Sequence, residues 1–250
     1  MTIVILDPDG RAPYPDWLPG ADLVLVTGSP VEAVRSGYRE VRYVPGYASS
    51  ATVERTVIEL AGTITALVAT ATTDLVRAGA LRDHLGIAGQ GRDDATVFAD
   101  PVVQRRLLTE AGVPAIPAGP VLRVADLYWY RDRWGSPLRI RRRKEPGWPT
   151  AAILRDEADV RAFTASGLAP SLITVPSLMA EPLLDGERST VDDPPTALPC
   201  VPGQPYKVEL LRTGTGLLVD TVAMDIEAGH RSTVLAQAGL SGEEVTRWAS

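Results

Sequence analysis

The feature that most constrains the fold is an alternation, across residues 1–90, of short β-branched runs with helical patterns. Thr2–Leu6, Ala21–Thr27, Glu40–Val44 and Ile64–Thr70 are apolar and bounded by turn residues, which predicts buried strands. Between them, Ser29 and Pro30 supply an N-cap and a first-turn proline ahead of 31–35. Ser50–Ala61 carries a second helical pattern. Asp74 caps a third, in which Leu75, Ala78, Leu81 and Leu85 fall near one face. Such alternation predicts a parallel sheet covered on both sides.

The pattern changes further along. Asp100 and Pro101 open a helix with Val103, Leu107 and Ala111 on one side, ending at Gly112. After Pro114 the predicted strands are shorter: Pro137–Arg141, Ala151–Arg155, 172–176 and Ser177–Leu184, with a short amphipathic helix over Asp156–Ala165. From Ser189 through Pro205 a proline-rich stretch predicts loop. A hairpin follows, Tyr206–Arg212 and Leu217–Ile226 around Thr213–Gly216. Ser241 and Glu244 have the spacing of a capping box for a last helix.

Composition narrows the function classes. The net charge of −6 argues against a general nucleic-acid or membrane-surface binder. No run of the ~18 apolar residues that a membrane helix needs occurs, and the start lacks the pattern of a signal peptide, so a cytoplasmic protein is expected. The single cysteine, Cys200, excludes an internal disulfide, and two histidines exclude a Cys/His zinc framework. Lysine occurs only at Lys144 and Lys207, and asparagine is absent.

The isolated motifs have plain structural readings. Gly89-Gln90-Gly91 follows a helix rather than a strand, so it fails the dinucleotide context. Thr213–Gly216 is a hairpin turn, and His84 is a surface or boundary residue of a helix. His230 lies near Glu227 and Ser232, but proximity in sequence is not a triad. Arg139, Arg141, Arg142, Arg143 and Lys144 form the strongest charge cluster. On a strand, Leu138 and Ile140 would face the core and Arg139 and Arg141 the other side. The cluster is either a clamp for phosphate or carboxylate, or a solvated edge strand protected by charge. An RNA-binding reading would require steep salt dependence.

Taken in order, these segments resemble the ATP-grasp superfamily, in particular its carboxylate–amine (amino-acid) ligase branch. The resemblance runs over Ile64–Ala69 and Leu81–Gly89, similar to "LRxxLGxxG", and over Arg105–Pro114, similar to a helix followed by "xAGVPxP". It continues through Pro137–Arg141 ("PxxxK") and Ala151–Phe163 ("RDEAELxAF"). Its most specific segment is Met179–Asp192, which contains "EPLLDGERSTVD"; Glu227–His230 is similar to "ExGH". The resemblance implies an α/β fold: an N-terminal parallel-sheet domain (1–95), a connecting helix (96–114), a small lid lobe (115–184) and a partial central lobe (185–250).

It also implies a site for phosphoryl transfer, where positioning and cations carry the catalysis. The family's first phosphate lysine falls at Pro101 and its second at Arg141, the implied catalytic residue. Arg143 and Lys144 begin the segment aligned with the glycine-rich loop, in which only Gly147 survives beside Pro146 and Pro149. Glu181 and Glu187 take the hinge and ribose positions, and Leu184 belongs to the apolar lining. Arg141, Arg143, Lys144, Glu181, Leu184 and Glu187 are thus the implied cofactor-binding set, with ATP as cofactor and magnesium only if ATP binds. No metal ligands are assigned, since the metal strands would lie beyond residue 250. The expected function is a degenerate, shortened ATP-grasp protein that binds a nucleotide or small carboxylate ligand. The alternative is an active ligase with arginine in place of the lysines. A bare strand edge on the hairpin, with Leu217, Leu218, Val222 and Val234–Leu240, leads to an expected homodimer or partner chain.

Overall fold

The computed structural model describes all residues except 31–35, 146, 166–176, 193, 203, 225–230 and 242–250. In chain order the elements begin β1 (Thr2–Leu6), α1 (Tyr14–Trp17), β2 (Asp22–Thr27), β3 (Glu40–Tyr43), α2 (Thr52–Glu59), β4 (Ile64–Ala69) and α3 (Leu75–Leu85). They continue α4 (Arg92–Ala99), α5 (Pro101–Glu110), β5 (Gly119–Val121), α6 (Val124–Trp134), β6 (Leu138–Arg142), β7 (Thr150–Leu154) and α7 (Glu157–Ala165). Last come β8 (Leu178–Pro182), β9 (Glu187–Val191), β10 (Tyr206–Thr213), β11 (Gly216–Met224) and α8 (Arg231–Gln237). The chain forms two compact units: residues 1–99, 199–206 and 224–250, and residues 100–198 and 207–223.

The first unit is built on a parallel sheet in the order β3-β2-β1-β4. All four strands lie where the sequence predicts strands; β1, β2 and β4 are largely buried as expected, whereas β3, at the sheet edge, leaves Arg42 and Tyr43 exposed. Ile3, Ile5, Leu23, Leu25, Ala66 and Val68 form one side of the core with Tyr14 and Leu18. Val234 and Ala238 of α8 pack into the same core, and the Gln237 amide clamps β4 by pairing with the backbone N–H and C=O of Ala69 at 2.8 and 2.9 Å.

The second unit holds two antiparallel sheets, β5-β8-β6-β7 and β11-β10-β9. In the first of these the period of two along β6 sends Leu138 and Ile140 into a core shared with Leu127 and Tyr130 of α6 and Val160 of α7. α6 starts where the Asp126 carboxylate accepts from the N–H groups of Leu122 and Arg123, each at 2.8 Å.

Several expectations need correction. β6 lies between β8 and β7, so it is not a solvated edge strand. The proline-rich loop does not begin at Ser189, because β9 runs to Val191; every β9 side chain is exposed, so no apolar pattern marks it. The outer edge of β11 is not bare. Val219 pairs with Pro114 and Ile116 at 2.9 and 3.0 Å, and the Gln104 side chain pairs with the N–H and C=O of Val222. Val222 and Val234 are buried within the chain itself, and of the surface proposed for a partner Leu217 is the large apolar residue left exposed. The helices expected at 31–35 and after Ser241, the strand 172–176 and the segment Glu227–His230 lie outside the described residues.

Candidate functional site

The two-residue period that buries Leu138 and Ile140 turns Arg139 and Arg141 to the other face of the same sheet. In register with them on β8, Arg139 lies opposite Glu181, and Arg141 opposite Met179. Glu181 is fully buried. Its two carboxylate oxygens are engaged separately, one by Arg139 and the other by Arg105 of α5. Arg105, itself buried, also donates to the Asp220 backbone carbonyl at 2.9 Å and to the Asp220 carboxylate at 2.7 Å. Asp220 stands on β11, where Arg188 of β9 pairs with its second oxygen and Arg139 approaches to 3.7 Å. One helix and four strands thus converge on one buried polar centre.

Arg141 completes it. Its Nε donates to the Trp148 carbonyl at 2.6 Å and its Nη2 to the Gly147 carbonyl at 3.1 Å. Nη1 sits 3.6 Å from both Glu181 and Asp220, yet it is buried and makes no hydrogen bond. Trp148 is 6% exposed and holds φ 47°, the left-handed region that a bulky residue enters only under local constraint. That conformation accompanies a carbonyl turned onto the guanidinium.

The electrostatics follow from the count. Four guanidinium groups (Arg105, Arg139, Arg141, Arg188) meet two carboxylates (Glu181, Asp220), leaving a surplus of two positive charges. Burial alone would raise the pKa of Asp220. Arg105, Arg188, Arg139 and Arg141 outweigh it and hold the carboxyl below its ordinary value. Burial lowers the pKa of Arg141, opposed by Glu181.

The remaining residues expected at the site fall in different places. Arg143 is bound to the Asp100 carboxylate, with Nε at 2.7 Å; Asp100 also caps α5 by accepting from Val102 at 3.0 Å. Pro101 is the first residue of that helix. Lys144 is exposed in the turn after β6, and Leu184 is half-buried just beyond β8. Glu187 is exposed at the start of β9 opposite Arg212; its neighbour Arg188 is the β9 residue that reaches the cluster. Sequence reasoning singled out Arg139, Arg141 and Glu181 of this centre but gave no role to Arg105, Arg188 or Asp220. Only Asp220 carried a signal, as an acid inside the apolar run Leu217–Ala223.

A metal ion does not fit the donors at hand. Among the described residues no three His, Cys, Asp or Glu side chains gather into a metal site, and both buried carboxylates already face guanidinium groups. No helix among the described residues is long and apolar enough to cross a membrane.

No family's sequence profile matches the chain, and no curated protein matches it. Solved structures do. N5-carboxyaminoimidazole synthetase from Staphylococcus aureus, complexed with ADP, is 15% identical with a TM-score of 0.67, covering 96% of this chain and 78% of its own. L-amino acid ligase from Bacillus licheniformis is 12% identical with a TM-score of 0.65, covering 94% of this chain and 68% of its own. A RimK domain ATP-grasp protein from Sphaerobacter thermophilus DSM 20745 is 15% identical with a TM-score of 0.59, over 97% of this chain and 100% of its own. The parallel sheet, the two antiparallel sheets and these likenesses agree: the fold of this chain is the ATP-grasp fold.

Proposed function

We propose that the protein is an ATP-grasp-fold binding protein without independent ligase activity, holding a nucleotide or a small acidic ligand at the arginine cluster. The observation that carries this reading is a positive surplus at a buried centre, where Arg105, Arg139 and Arg141 face two carboxylates with the exposed Arg188 at the rim, and one guanidinium nitrogen, Arg141 Nη1, is left without a hydrogen bond. Buried cations in excess of their partners are costly, and an anion relieves the cost. The same arrangement weighs against ligation. Arg143 is committed to Asp100, Arg141 to two loop carbonyls, and the cation nearest in sequence that could act as a mobile phosphate lysine, Lys144, points into solvent. An arginine in place of lysine keeps charge but not geometry. The reading includes a cytoplasmic place in small-molecule biosynthesis, as the family resemblance implies. A second copy or a partner chain could pair with the exposed edge of β9; sedimentation showing a strict monomer at micromolar concentration removes the homodimer.

The test is thermal unfolding with ADP, and with ATP plus magnesium, beside a turnover assay. A ligand at about 100 times its Kd adds about 2.7 kcal/mol to stability. A shift without turnover supports the proposal. Sustained magnesium-dependent ATP consumption establishes instead the active ligase with arginine replacing the lysines. No shift with ADP, ATP or a small dicarboxylate overturns the binding site.

A further inference from the structure

A cavity of about 490 Å³ opens in the second unit between α5, the segment leading into β5, and α6. Its size lies within the range of small-molecule sites, about 300–1,000 Å³. Its wall is aromatic. Tyr130 and Trp134 stack with centroids 4.5 Å apart and planes 11° apart, and Trp129 meets Tyr130 edge-on at 5.0 Å. The wall is fixed in advance. The Tyr130 hydroxyl donates to the Pro120 carbonyl at 2.9 Å, and Gly119 makes room for it: a Cβ there would lie 2.1 Å from the phenolic oxygen. Trp129 is nevertheless 54% exposed, with the Arg133 guanidinium 5.2 Å from its ring centroid.

The charge of the lining is as informative as its rings. Arg105 borders the cavity, but its guanidinium is spent on Glu181 and Asp220. Of the other ionisable groups, Arg106 and Arg133 stand against Glu110 alone, one positive charge in excess, in a chain whose net charge is −6. Arg106 and Glu110 approach to 3.8 Å with both side chains largely exposed, a pairing worth little and easily exchanged. Preset aromatic faces beside exchangeable guanidinium groups suit a ligand that offers a flat ring and an anion together.

We propose that this cavity binds a small planar aromatic carboxylate, its ring against the Trp129–Tyr130–Trp134 wall and its carboxylate held by Arg133 and Arg106. The proposal does not depend on the nucleotide reading. Calorimetric titration of the full chain with 4-hydroxyphenylacetate tests it, against two analogues: 4-hydroxyphenethyl alcohol, which lacks the charge, and cyclohexylacetate, which lacks the flat ring. The acid is expected to bind saturably, and each analogue about tenfold more weakly or not at all. Trp129→Ala and Arg133→Gln, both at exposed positions, should each weaken the acid about tenfold with the melting temperature kept. Saturating ADP should leave the titration unchanged. Three results overturn the proposal: no binding of the acid at millimolar concentration, equal binding of the acid and the alcohol, or displacement by ADP. The analogue series on the unaltered protein decides the matter even if a variant loses its fold.

Discussion

The two units bury polar groups in opposite ways. In the first, acids meet phenols: Tyr14 donates to Asp7 at 2.7 Å and Tyr47 to Asp74 at 3.0 Å. Burial raises the pKa of both tyrosines and of Asp74. The buried arginine of that unit, Arg82, donates to the carbonyls of Leu67 and Gln90 and to the Gln237 amide oxygen, and burial lowers its pKa to about 10. In the second unit the arginines crowd two carboxylates and remain in excess. The first unit satisfies its interior with neutral partners and with a matched ion pair, Arg77 to Asp74 at 2.6 Å. A surplus of one sign is not something packing requires, and on the proposed reading it is where an anionic ligand would sit.

The contrast can be broken most forcefully by the same substitution in each unit. Arg105→Met leaves one buried carboxylate oxygen of Glu181 and one of Asp220 without its charged donor and should cost about 3–5 kcal/mol, whereas Arg82→Met removes hydrogen bonds to neutral acceptors and should cost about 1–3 kcal/mol. Urea unfolding of both variants measures this, and equal losses would erase the distinction. A sharper version is Asp220→Asn, which enlarges the positive surplus. Its stability loss should be partly recovered by phosphate and not by chloride at equal ionic strength.

Acid titration separates the units again. Asp74 has a raised folded pKa, so the first unit should gain stability as pH falls through that value toward the ordinary ~3.9 of an unfolded aspartate. Asp220 has a depressed one, so its contribution stands in full above ~3.9 and is lost only as pH falls below that. Hydrogen exchange resolved to β1 and β8 should follow these two courses; parallel courses would contradict the assigned environments. The smallest effect is expected of Asp74→Asn, about 1 kcal/mol at neutral pH: the amide oxygen still accepts from Tyr47, and the lost charge pairing with Arg77 is offset by the lost desolvation cost of a buried carboxylate.

The sequence made the parallel sheet legible because β1, β2 and β4 are largely buried on both faces, and unbroken β-branched runs between turn residues have few other uses. It also predicted correctly that Leu138 and Ile140 face away from Arg139 and Arg141. It missed α6, whose tryptophans and tyrosines have no clean apolar stripe, and α4, which follows the Gly89–Gly91 turn directly. Above all it could not pair Arg105 with Asp220 or Glu181. They stand 115 and 76 positions apart, and nothing local to any of them states which distant charge it meets. Gln104 was invisible for the same reason: its role is to imitate a strand neighbour for Val222, 118 positions on.

The turned carbonyl of Trp148 has a spectroscopic consequence. Trp148 is the tryptophan that the described part of the chain buries, while Trp17 and Trp134 are half-buried and Trp129 faces water. Its indole therefore emits to the blue of the others, from beside the nitrogen that an entering anion would seek. Any ligand that takes Arg141 away from the Trp148 carbonyl releases a backbone held at φ 47° and lets that ring meet solvent. The emission should then redden in step with occupancy, and a Trp148→Phe variant should lose the response while the other indoles remain. The protein would carry its own optical gauge of whether the arginine centre is filled.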